Sequence, residues 1–198
     1  MTLSSSLLTE IVLVVVVVCW VLFAVIFFVG KKGASRSDTK RATSSLLGLL
    51  LQCMAYAAVW IFRRAYFTPL VPMSKIAEVA GAIVTMAIAM GSIWFCLAAV
   101  RALGRQWALE ARVIEGHELI KQGPYSVVRN PIYLGMFGLL VATGLAISRW
   151  EALVAAVVLF LAGNEIRIRS EEKLLREAFG AQFEDYARRV PAFFPRLF

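Results

Sequence analysis

Apolar residues fall into five blocks along this chain, separated by shorter polar and charged stretches. The first block, about Leu7–Val29, holds one charge, Glu10, near its outer end. As a helix it is roughly 34 Å long, enough to cross the hydrocarbon core of a bilayer. The second, about Ser45–Phe62, is interrupted by Gln52. The third, about Ile76–Val100, carries Gly81 and Gly91 among Ala80, Ala82, Ala87 and Ala89. Small residues at that density let helices approach closely. The fourth and fifth, about Ile132–Ile147 and Glu151–Gly163, are short and meet at Ser148-Arg149-Trp150. They predict a tilted, tightly packed hairpin.

Past the fifth block the pattern changes. Leu174, Leu175, Ala178, Phe179 and Phe183 recur at i, i+3, i+4 spacing, with Lys173, Arg176, Glu177 and Glu184 elsewhere. That spacing predicts an amphipathic C-terminal helix, locally weakened at Gly180 and ended by Pro191 and Pro195. Such a helix would lie against the membrane surface or cap the hairpin. The expected fold is therefore all-α: a polytopic membrane protein with about five transmembrane helices, the last two a short hairpin, plus the C-terminal helix. Residues 1–100 form a three-helix membrane region, and residues 101–198 carry the candidate chemistry.

Composition sharpens this. Of the 198 residues, 60% are hydrophobic and 17% charged, well off the balance of a soluble domain. The first block is too long for a cleavable signal and lacks a basic stretch before it, so it reads as a retained helix. The net charge of +8 raises the question of nucleic acid. The basic residues, however, sit at the ends of the apolar blocks, which is a topology signal and an attraction to anionic headgroups. Most of the 21 lie in the first loop, in the segment from Arg101 to Arg129, and in the tail from Arg167 onward. With five spans these share one face, so the N-terminus is expected outside and the site on the cytoplasmic face. Cys19, Cys53 and Cys96 are far apart and read as small buried hydrophobes, and a single histidine, His117, predicts no metal site.

Two polar motifs flank the predicted hairpin, which brings them to one membrane face. The first runs from Gly123 to Gly135 and includes Tyr125, Arg129, Asn130, Pro131, Ile132 and Tyr133. Its prolines restrict the backbone and its glycines admit close approach. The second runs from Glu165 to Glu172. Within it, Arg167 and Glu171 stand four apart, on one helix face. An ordinary surface ion pair is the bland reading of that spacing. Their place at the end of the fifth block favours a site: Arg167 can clamp a carboxylate, and Glu171 can accept from an ammonium. No Ser/His/Asp set, P-loop or dinucleotide fingerprint is present.

The run His117-Glu118-Leu119-Ile120-Lys121-Gln122-Gly123-Pro124-Tyr125, followed by Arg129-Asn130-Pro131-Ile132-Tyr133-Leu134-Gly135, resembles the isoprenylcysteine carboxyl methyltransferase family. So does the tail, with Arg167, Glu171-Glu172, Leu175, Phe179-Gly180, Phe183, Tyr186 and Val190-Pro191. The resemblance spans about Leu103 to Phe198. It implies an all-helical membrane enzyme using S-adenosylmethionine (SAM). It further implies that His117, Glu118, Leu119, Ile120, Tyr125, Asn130, Pro131, Ile132 and Tyr133 line the SAM pocket. Glu171 would hold the cofactor's amino group, and Arg167 would engage a substrate carboxylate, so these two are the candidate catalytic residues. The family usually has histidine where this chain has Asn130, and asparagine can position a group but cannot titrate. The implied partner is an amphiphilic or prenylated acceptor that enters from the lipid, with neither nucleic acid nor metal. A phospholipid amine or a thiol is an alternative acceptor. Two other readings are a membrane NADPH-dependent reductase of the sterol-reductase type and a non-catalytic membrane protein or transporter.

Overall fold

The computed structural model describes residues 3–31, 44–65, 74–104 and 119–195. Among them are α1 (Leu3–Lys31), α2 (Ser44–Ile61), α3 (Lys75–Leu103), α4 (Pro131–Ile147), α5 (Trp150–Phe179) and α6 (Ala181–Arg189), with a 3-10 turn at Gly123–Ser126. No strand occurs among these residues, so the all-helical expectation holds. Leu7–Phe27 in α1 and Lys75–Leu103 in α3 are long and apolar enough to cross a membrane; Leu46–Ile61 and Pro131–Ile147 are shorter apolar helices.

α4 is the central helix. It touches α1, α2, α3 and α5, and more than half of its residues are buried. On one side it packs with α1 and α3 around Val16, Ala89, Ile93, Leu139 and Ala142. On the other it packs with α2 and α5 around Ala55, Val59, Leu140, Ala156 and Phe160. Two side-chain bonds cross the bundle: Trp20 Nε1 donates to Thr143 Oγ1 at 3.0 Å, and Tyr56 OH donates to the Met136 carbonyl at 2.9 Å. The outward faces of α1 and α3 are apolar, with Val14, Val21, Ile83, Val84 and Trp94 exposed. Surfaces of that kind belong in lipid.

Between α2 and α5 backbone meets backbone. Gly48 on α2 lies against Gly163 and Arg167 on α5. A Cβ built on Gly163 would stand 2.6 Å from the Gly48 carbonyl oxygen. Only glycine fits there, so the two backbones are in direct contact. The close packing anticipated at Gly81 and Gly91 does not occur at those residues. Both are on the exposed side of α3, with nothing within 4 Å of an added Cβ.

At the end of the bundle away from the polar motifs, Arg64 ties α2 to the Ser148-Arg149 connection. Its guanidinium donates to the Leu145, Ala146 and Ser148 carbonyls at 2.6–2.7 Å. A cation on the last free carbonyls of a helix complements its dipole.

The fifth apolar block and the polar tail are one helix. α5 passes from Trp150 through Gly163 to Phe179 without interruption, because no proline intervenes. The chain then breaks at Gly180, which has φ +48°. A glycine in that conformation ends α5 and starts α6, so the single tail helix expected with a weak point at Gly180 is two. In α6, Phe183 and Tyr186 are buried while Glu184, Asp185 and Arg188 are exposed.

Candidate functional site

The two polar motifs meet. Pro131 starts α4 at its N-terminus, where the missing N–H costs nothing. Two residues on, Tyr133 points at α5. Its ring lies under Arg167, whose guanidinium carbon is 5.3 Å from the ring centroid. Arg167 Nε donates to Tyr133 OH at 2.8 Å, and Tyr133 OH donates in turn to Glu171 Oε1 by a short bond. Arg167 Nη2 stands 3.6 Å from the same carboxylate oxygen. A cation, a phenol and a carboxylate thus form one chain, with Arg167 buried and Glu171 about a quarter exposed, at 23%.

Burial raises the pKa of the Glu171 carboxyl above its ordinary value; Arg167 and the Tyr133 hydroxyl pull the other way, and Glu172 adds to the rise. Glu171 lies past the fifth apolar block, in the polar half of α5. Tyr125, buried on the 3-10 turn, has its pKa raised by burial and then by Glu171, which puts its phenol within electrostatic reach of the cluster. Tyr186 OH donates to the Tyr125 carbonyl at 2.6 Å and fixes that turn from α6. Tyr186 is itself pushed up to about 12 by burial.

The neighbouring charged residues do different work. Arg129 Nε and Nη2 donate to Glu172 Oε1 at 3.0 and 2.6 Å. Its Nη1 donates to the Ala187 carbonyl at 2.9 Å and, by a shorter bond, to that of Val190. This ion pair is nearly buried, with side-chain exposures of 12 and 10%. Removing one partner of such a pair costs about 3–5 kcal/mol. Asn130 is a tether as well: its backbone N–H and its Nδ2 both donate to the Ala192 carbonyl, at 3.1 and 2.8 Å. Sequence reasoning grouped Arg129 with the site, but the structure commits it to holding the tail over α4 and α5.

Pro131 is buried and Ile132 half-buried, with the Ile132 carbonyl accepting from Cys96 Sγ. Leu119 and Ile120 are half-buried ahead of the 3-10 turn. His117 and Glu118 lie outside the described residues. The structure therefore brings Tyr125, Tyr133, Arg167 and Glu171 together, with Asn130, Pro131 and Ile132 beside them.

Two buried polar side chains went unremarked as site residues. Gln52 on α2 is 1% exposed and Asn164 on α5 is 2% exposed. Neither Gln52 Nε2 nor Oε1 has a hydrogen-bond partner among the described residues, and the same is true of Asn164 Oδ1. Each such atom costs about 1–3 kcal/mol. The sequence signal was the break that Gln52 makes in an otherwise apolar block.

Residues 80–182 match the phospholipid methyltransferase family, just over half of the 198 residues. The chain belongs to that family. A nickel-cobalt-cadmium resistance protein of Alcaligenes xylosoxydans xylosoxydans is 42% identical over 99 residues, 48% of this chain and 45% of the relative. Protein-S-isoprenylcysteine O-methyltransferase B of Arabidopsis thaliana is 32% identical over 99 residues, 49% of this chain and 50% of the relative. Methanethiol S-methyltransferase 2 of Bradyrhizobium diazoefficiens is 37% identical over 78 residues, 37% of this chain and 27% of the relative. The chain spans about half the length or less of the curated relatives it matches. The isoprenylcysteine methyltransferase resemblance read from the motifs is borne out, and the apolar helices agree with a membrane protein.

Proposed function

We propose that this chain is a multi-pass membrane methyltransferase that uses SAM to methylate the carboxylate of a lipophilic acceptor such as a prenylcysteine. The observation that carries the proposal is the Arg167–Tyr133–Glu171 chain at the end of the last apolar block.

The donor set fits the cofactor. Glu171 is a partly exposed carboxylate suited to an ammonium, and Tyr125 supplies aromatic surface near it, with Leu119 and Ile120 expected to add apolar surface. In this reading Asn130, Pro131, Ile132 and Tyr133 complete the wall. SAM supplies a methyl on a cationic sulfur, so the acceptor needs alignment more than a general base. Arg167 does the aligning. Its guanidinium is stacked on Tyr133 and fixed at Nε, which lowers the entropy lost when it grips a carboxylate. Tyr133 bridges the two charges, and a bound ligand would compete for the Arg167–Glu171 contact.

Residues 101–198 are the catalytic region in this account, and residues 1–100 its membrane support. Charge distribution favours the N-terminus outside and the site on the cytoplasmic face. The isoprenylcysteine methyltransferases among the relatives support a carboxylate acceptor, and the methanethiol methyltransferase keeps a thiol in view.

Arg167→Ala separates these. It is expected to leave S-adenosylhomocysteine binding within about threefold of wild type while cutting turnover of a prenylcysteine carboxylate by about 10²-fold or more, the loss of a bidentate ionic contact. Undiminished turnover of that acceptor would remove Arg167 from the clamp, and selective methylation of a thiol would replace the acceptor class.

A further inference from the structure

We propose that Tyr186 is a positioning residue for the cofactor: its bond to the Tyr125 carbonyl holds the 3-10 turn so that the Tyr125 phenol stays within reach of Glu171. The inference rests on the proposed function and adds to it a residue on α6 that the candidate site lacked. Its first support is how the turn is held. The bonds of Gly123–Ser126 are local. Tyr125 N donates to the Gln122 carbonyl at 3.3 Å, Val127 N and Val128 N donate to the Pro124 carbonyl at 3.1 and 3.2 Å, and Ser126 Oγ donates to the Gly123 carbonyl at 2.7 Å. These bonds set the shape of the turn and leave its place relative to α5 open. Among the described residues, the 2.6 Å bond from Tyr186 OH is the one hydrogen bond that joins this turn to another element. Glu171 acts on the Tyr125 phenol electrostatically, with no hydrogen bond between the two side chains. Their alignment therefore depends on the frame around them.

The second support is the fixity of Tyr186 itself. It is buried, and its ring meets Phe183 edge-on with centroids 6.4 Å apart. Arg129, paired with Glu172 on α5, donates to the carbonyls of Ala187 and Val190 and so ties α6 to α5 just beyond Tyr186. The Tyr186 hydroxyl thus carries the position of α5, where Glu171 stands, across to the turn that bears Tyr125. Burial raises that hydroxyl to about 12, so it remains a donor through the neutral range. A binding group whose orientation is locked by packing and by a hydrogen bond behind it keeps the geometry its ligand needs.

The test is a double-mutant cycle on the full chain in detergent, read as S-adenosylhomocysteine affinity, with melting temperature followed in the same preparations. Tyr186→Phe keeps the ring and removes only the donor. It is expected to weaken binding about 5–30-fold, the loss of one buried hydrogen bond. Tyr125→Leu removes the group being placed and should weaken binding by a similar factor. Adding Tyr186→Phe to Tyr125→Leu should then change the affinity less than about twofold, because the two residues act as one unit. Phe183→Leu is the control for loosening of α6: it should lower the melting temperature and leave the affinity within about threefold of wild type. Unchanged affinity in Tyr186→Phe, multiplied losses in the double variant, or an equal loss in Phe183→Leu would each overturn the assignment, while wild-type binding leaves the cofactor reading standing. A folded wild type that does not bind S-adenosylhomocysteine overturns the cofactor reading, and this assignment with it.

Discussion

Glu171 and Glu172 are adjacent carboxylates with different fates. Glu172 faces Arg129 and Arg176 and is consumed by them. Glu171, one residue earlier, points to Tyr133 and keeps part of its surface open. The i,i+4 relation of Arg167 to Glu171 was legible from spacing alone. The bridging role of Tyr133 was not, because it joins residues 34 and 38 positions apart. The same holds for Arg129, whose partner Glu172 is 43 positions away. The raised pKa of Glu171 yields a pH prediction. If its carboxylate holds the ammonium of the cofactor, S-adenosylhomocysteine affinity is full above that raised pKa. It weakens as pH falls through it, sooner than an ordinary carboxylate near 4.3 would allow. The apo fold responds in the opposite sense. A carboxyl with a raised folded pKa contributes stability that is full below its unfolded value and lost as pH rises through the folded one. The thermal shift given by S-adenosylhomocysteine should therefore grow with pH across this window, and Glu171→Gln should flatten the dependence. A wild-type shift independent of pH there would take Glu171 out of the site.

Among the elements, the α2–α5 seam and the tail brace set the geometry that the site depends on. Gly163→Ala puts a methyl within 2.6 Å of the Gly48 carbonyl and should cost about 1–3 kcal/mol, read as a lower melting temperature in detergent. Arg167 sits on the same seam, so turnover should fall further than stability alone explains. Arg129→Ala is expected to destabilise by about 3–5 kcal/mol, because Glu172 is left buried with only the half-exposed Arg176 as partner. Protease sensitivity of the segment from Ala187 to Phe193 checks this, since Arg129 and Asn130 hold its carbonyls. The helices themselves were legible, because long apolar runs leave little choice of structure. Their close contacts were not: Gly81 and Gly91 looked like packing residues, while Gly48 and Gly163, with Gly135 and Gly138 against α3, are among those that touch a partner helix. Composition marks where helices can approach, but only the arrangement of all of them decides which faces do. The join of the fifth apolar block to the tail was also hidden, since polarity changes there while the helix does not.

On the scale of the whole molecule, the bundle is a lipid-facing shell around α4 with its polar chemistry gathered at one end. Arg64 and the Ser148-Arg149 connection close the other end with backbone bonds. Membership of the phospholipid methyltransferase family agrees with a methyltransferase, and the proposed SAM site is the Arg167–Tyr133–Glu171 chain. The most direct test is calorimetry of the purified protein in detergent, with S-adenosylhomocysteine and NADPH titrated separately. The account predicts that S-adenosylhomocysteine binds with a Kd of about 1–100 µM, roughly 5–8 kcal/mol of binding free energy, and that NADPH gives no heat. NADPH binding in place of S-adenosylhomocysteine, or folded protein that binds neither, would contradict it.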